Sequence, residues 1–142
     1  MNLVEKFSLL CLKTDIWLTA RFVPAWIGWR DLAGILRVAD ARKSKLYAEI
    51  DAETIARLAL AATCKHWIMR NRRCLRQGIV GYRFLTKAGF YPELHFGVGA
   101  TSTATAKTPA HCWVVLNGKP IINDNLEGMA TMYIHKSPSE SL

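Results

Sequence analysis

Three side chains in this sequence have the types and spacing for acyl chemistry: Cys74, His111 and Asp124. A thiolate is the working nucleophile of cysteine catalysis. Cys74 falls in the first turn of a helix expected from about Arg72 to Lys87, with Asn71 as its cap and Gly89 as its stop. Unpaired amides and the helix dipole stabilise an anion there, so the thiol pKa is expected to fall. Arg70, Arg72, Arg73 and Arg76 push the same way. His111 opens the apolar run "AHCWVVLN", Asn117-Gly118 turns the chain, and Asp124 closes "KPIIND". Pairing about that turn puts His111 opposite, or nearly opposite, Asp124. The carboxylate would then hold the imidazole tautomer while the other ring nitrogen meets the thiol. The backbone amide of Cys74 is a natural oxyanion donor at a helix start. A second donor is unassigned, with Asn71 a weak candidate. Cys112 follows His111 on its strand and so points to the opposite face. Cys11 and Cys64 are expected in helix interiors.

The elements that must position these groups follow from periodicity. Residues 3–22 carry Phe7, Leu10, Cys11, Trp17, Leu18 and Phe22 at near-helical spacing, and Pro24 ends or kinks that helix. Residues 29–39 suggest a short second helix with Leu32, Ile35 and Leu36 inward. Asp51 caps a third, with Ile55, Leu58, Ala59, Ala62 and Met69 on one stripe. The Cys74 helix contains Gly78 and Gly81, each costing about 1 kcal/mol against Ala, which predicts a tightly covered, central helix. After Gly89 the period changes to strands: "YPELHFGVGA", then a polar loop "TSTATAKTP", the Asn-Gly hairpin, and a fourth strand in Met129–His135. Helices followed by a small antiparallel sheet make an α+β domain. The expected division is an N-terminal helical segment at 1–50, a core at 51–136 and a loose tail at 137–142.

The chain has 142 residues, 51% of them hydrophobic, enough for one domain with a real core. Its net charge of +8 is uneven. From Thr54 to Gly89 there are eight basic residues and no acid. Such a face could meet nucleic acid, an anionic membrane or an acidic peptide, or be a solvated helix surface. Arg and aromatic residues alternate too sparsely for a nucleic-acid module, and no nucleic-acid partner is expected. No uncharged apolar run approaches the roughly 20 residues that span a bilayer, and the N-terminus lacks a signal-peptide pattern. The four cysteines have no disulfide-framework spacing and read as reduced thiols of a cytoplasmic protein. A zinc site from Cys64, His66, Cys74, His111 and Cys112 is the metal alternative, but no Cys-x2-Cys pair supports it, so no metal and no cofactor is expected. His95 and His135 read as structural, as does His66 outside that alternative. Trp17, Trp26, Trp29 and Trp67 read as helix packing, with a protein interface the alternative for Trp26 or Trp29.

The order Cys…His…Asp, with Cys on a helix and the others on adjacent strands, is a papain- or transglutaminase-type arrangement. Within residues 70–125, Cys74-Leu75, Gly89, Gly97-Val98, His111-Cys112-Trp113-Val114, Gly118 and Asp124 resemble the core of the lasso-peptide leader peptidases. These proteases of transglutaminase-like fold cut the leader from ribosomally made lasso precursors. The departure is Cys112, where that family usually has Ala. The resemblance implies nucleophile Cys74, base His111 and orienting Asp124, on a nucleophile helix packed against a small antiparallel sheet. It also implies a precursor peptide as substrate, a small pocket for a Thr near the cut, and a separate small leader-recognition protein as partner. A macrolactam synthetase would act alongside, and a membrane contact stays open. The rivals are an acyltransferase or amidase with the same three residues, and a non-enzymatic basic binder of nucleic acid or membrane.

Overall fold

The computed structural model describes residues 1–28, 30–64, 72–99, 110–126 and 128–136. Helices α1 (Leu3–Ile27), α2 (Leu32–Ala39), α3 (Ala52–Thr63) and α4 (Arg73–Lys87) precede strands β1 (Glu93–Gly99), β2 (Ala110–Leu116), β3 (Lys119–Ile122) and β4 (Met129–Lys136). A single 3-10 turn, Lys45–Tyr47, joins α2 to α3. The sheet is antiparallel in the order β3-β2-β1-β4, and α4 lies between it and the other helices. This is the expected α+β architecture.

Local chemistry sets the boundaries. Asn2 and Glu5 form a reciprocal capping box on α1. Asp31 and Asp51 cap α2 and α3 through the amides of Gly34 and Thr54. Gly89, at φ 97°, closes α4 in a Schellman motif, with the Phe90 amide bonded to the Leu85 carbonyl and the Gly89 amide to Thr86. At the hairpin, Asn117 (φ 52°) and Gly118 (φ 77°) both take the left-handed conformation that a two-residue primed turn needs. At the other end of α4 the cap position is Arg72, which makes no side-chain capping bond. Asn71, expected there, lies outside the described residues, as do Trp29, His66, Trp67, Met69, the loop at 101–109 and the tail at 137–142.

In α1 the buried stripe is Ser8, Leu12, Ile16, Ala20, Val23 and Ile27, and the helix runs through Pro24. Of the expected inward residues, Phe7, Leu10, Trp17, Leu18 and Phe22 are half or more exposed. The helix is apolar almost all round, so its sequence contains two stripes. The buried one is set by close helix packing, which favours small and branched side chains over aromatic ones. Likewise Leu32 is exposed while Ile35 and Leu36 are buried, and Cys64 is the exposed C-cap of α3 rather than an interior residue.

Pro24 has no amide proton, so the carbonyl of Ala20, four residues earlier, loses its helical donor. Arg76 of α4 supplies one. Its Nε and Nη2 donate to that carbonyl at 2.8 and 2.6 Å, from a side chain only 2% exposed. Burial, and then the nearby Arg21 cation, push the guanidinium below its ordinary pKa. A second α1–α4 link is the Lys87–Asp15 ion pair at 2.7 Å, whose carboxylate also accepts from Tyr47 Oη at 3.0 Å.

The glycines of α4 are contact points with the sheet. A Cβ at Gly78 would stand 2.6 Å from Cys112 Sγ, and one at Gly81 would collide with Ile122 Cδ1. Both partners are buried, so at these two positions the helix backbone rests directly on side chains of β2 and β3, with no helix side chain between.

Two stability measurements follow. Arg76→Leu should lower stability by about 1–3 kcal/mol in urea unfolding, because it orphans the Ala20 carbonyl. Adding Pro24→Ala, which returns an amide to that carbonyl, should recover part of the loss. Gly81→Ala should cost about 1–3 kcal/mol by overpacking, and less in an Ile122→Val background, which lacks the colliding methyl.

Candidate active site

Cys74 is the second residue of α4, half-buried. The side chain that joins it to the sheet is Asn123, just past the end of β3. Its Nδ2 donates to the Cys74 carbonyl at 3.2 Å and to the Cys112 carbonyl at 3.0 Å. Its own carbonyl lies 3.4 Å from His111 Nε2. Asn123 sits at φ 57°, a left-handed conformation that Asn tolerates better than most residues. That twist aims amide and carbonyl at different partners. A proton on Nε2 would be donated to the Asn123 carbonyl and would leave Nδ1 as the basic nitrogen.

His111 and Cys112 point to opposite faces, as alternation requires. Cys112 faces α4 and packs on Gly78. Burial, and then the charge of nearby Cys74, push its thiol well above the usual range. His111 stacks on Trp113 with ring centroids 5.8 Å apart, and Trp113 lies 5.5 Å from His95, so the three rings form a row on the far face. Trp113 is itself buried and covers Gly97, where a Cβ would come within 2.6 Å of the indole. His95 Nε2 meets Glu93 Oε1 at 3.3 Å. His135 is occupied elsewhere, 2.8 Å from Asp40.

Asp124 is adjacent to this junction but exposed, and among the described residues it makes no hydrogen bond to His111. The ladder explains its place. A bulge between Val114 and Val115 shifts the hairpin register, the β2–β3 pairing ends at Val114 with Ile122, and His111 pairs with Gly97 of β1. The backbone carbonyl of Cys74 on α4 and the ring of His111 on the hairpin therefore share one contact, Asn123, with the carboxylate one residue further on. Sequence spacing alone did not single out Asn123. The signal was a polar, turn-tolerant residue directly after an apolar strand. Among the described residues no three His, Cys, Asp or Glu side chains gather as a metal site would need, and His66 lies outside them.

Residues 17–133 match the protein family described as the transglutaminase-like superfamily. The chain belongs to that superfamily. Its members are typically cysteine peptidases or acyltransferases, and the match takes in α4, the hairpin and nearly all of the sheet. No curated protein and no solved structure matches the chain significantly. No helix among the described residues is long and apolar enough to cross a membrane.

The two cysteines at the junction should differ in reactivity. Iodoacetamide on the folded protein should modify exposed Cys64 and half-buried Cys74 well before Cys112, whose raised pKa and burial both suppress the thiolate. Peptide mass spectrometry should find Cys112 labelled at a comparable rate only after unfolding in urea.

Proposed function

We propose that this transglutaminase-like protein is a cysteine peptidase that removes the leader from a ribosomally synthesised precursor, of the lasso type. One observation carries the reading. A single residue, Asn123, holds the start of the Cys74 helix and faces the ring of His111. Superfamily membership and the Cys-Leu, Gly-Val and His-x-Trp-Val matches support the same assignment.

In this mechanism His111 takes the thiol proton and Cys74 Sγ attacks the carbonyl carbon of the last leader residue. The oxyanion of the tetrahedral intermediate is held by the backbone amide of Cys74. Collapse breaks the peptide bond, and His111 returns the proton to the departing amine of the core peptide. Water, deprotonated by His111, then hydrolyses the thioester and frees the leader. Asp124 is the assigned orienting carboxylate. The present geometry favours a second reading for that role, since the Asn123 carbonyl already faces Nε2. A separate small leader-recognition protein delivers the precursor, and a macrolactam synthetase uses the freed core.

The test is cleavage of precursor peptides with and without the recognition partner, followed by mass spectrometry. Cys74→Ala should abolish product while leaving the fold intact, and an acyl adduct on an added amine would instead identify a transferase. A binder of nucleic acid or membrane would be indifferent to Cys74→Ala. If Asp124 orients the base, Asp124→Ala should lower kcat by about 10²–10⁴. A loss under about tenfold would give that task to the Asn123 carbonyl.

A further inference from the structure

The outer side of α1 is the largest feature that the reaction does not use. Its C-terminal half and α2 enclose a cavity of about 710 Å³ lined mainly by Leu18, Phe22, Trp26, Arg30, Arg37 and Arg83. We infer that this groove docks an acidic, apolar segment of a partner polypeptide. The inference stands whichever reaction Cys74 performs, because Arg83 lies nine residues beyond Cys74, roughly 13 Å along α4 at the helical rise.

Charge argues for the occupant. Among the described residues the groove carries three guanidinium groups and no lining carboxylate. Among the described residues none of the three arginines has an ion-pair partner. The neighbouring acids are engaged: Asp15 with Lys87 and Tyr47, Asp31 at the α2 cap, Asp40 with His135. Arg83 is held by the carbonyls of Val38 and Asp40 at 2.8 and 3.1 Å, so its charge is fixed at the wall.

The apolar part is also built. Trp26 is fixed by its Nε1 bond to the Gly34 carbonyl at 3.0 Å and by a tilted contact with Phe22 at 5.7 Å. Leu18 and Phe22 remain more than half exposed. Anchored aromatics beside arginines are the residue types that carry binding energy at protein interfaces. Arg30 already covers one face of the Trp26 ring at 4.0 Å, where a nucleic-acid base would otherwise stack. The apolar floor is recessed between two helices, a shape that admits a chain segment more readily than a flat bilayer.

The probe is a fluorescein-labelled peptide in which Leu and Phe alternate with Glu, read by anisotropy against the full chain. Gln-for-Glu and Lys-for-Glu versions and phosphatidylglycerol vesicles are run beside it. The Glu peptide should bind, the other two should not, and added salt should weaken binding. Arg30→Glu with Arg37→Glu, both exposed, should weaken it by roughly tenfold or more. Phe22→Ala should weaken it as well, and Arg57→Glu on the exposed side of α3 should leave it unchanged, all with unaltered urea midpoints. Equal binding of the Gln peptide would overturn the proposal, as would an equal effect of Arg57→Glu. So would groove variants that release vesicles but not the peptide. Because binding is read without cleavage, its outcome is separate from that of the peptidase assignment.

Discussion

The bond between Arg76 and the Ala20 carbonyl sets the arrangement of the helical layer. A proline inside a helix leaves a carbonyl without its donor, and a carbonyl buried there needs another. Here the donor comes from the end of the first turn of α4, the helix that carries Cys74 as its second residue. The long N-terminal helix and the nucleophile helix are therefore fixed to each other by the defect in one of them. A buried guanidinium without a carboxylate is costly in itself. Among the described residues its Nη1 has no partner, so the arrangement stands on the two bonds it makes and the packing around it.

From that fixed helix the site is assembled by backbone contact rather than by long side chains. Gly78 and Gly81 let α4 settle directly on the two hairpin strands. Asn123 then fastens the first turn of α4 to the end of the hairpin through its side chain, while its backbone carbonyl lies 3.4 Å from His111 Nε2. Position is set by three short-range constraints, and none of them needs a metal or a disulfide to hold.

Much of this was readable in the residues. The Asn-Gly turn, the Asp51 cap, the Gly89 stop and the switch from helical to strand period follow from local chemistry, and each falls where it was expected. The two glycines in α4 announced the close approach. What could not be read was the choice between two apolar stripes on α1, because the difference lies in the partner's shape and not in hydropathy. The hairpin offset was hidden too. A bulge shifts the β2–β3 register by one residue without altering any residue type, and only the ladder reveals that Asn123 occupies the junction. The carboxylate expected beside the ring is thus represented, in this geometry, by a peptide carbonyl.

Gly78 and Cys112 form a socket and its filling, as do Gly81 and Ile122. In each case the space missing on the helix is occupied by the side chain opposite. Substitution at one position is therefore conditional on the other: a methyl gained on the helix demands atoms lost from the strand. Over evolutionary time these pairs should drift together, with combined volume held constant, and a chain bearing alanine in place of Cys112 would be the one free to enlarge residue 78.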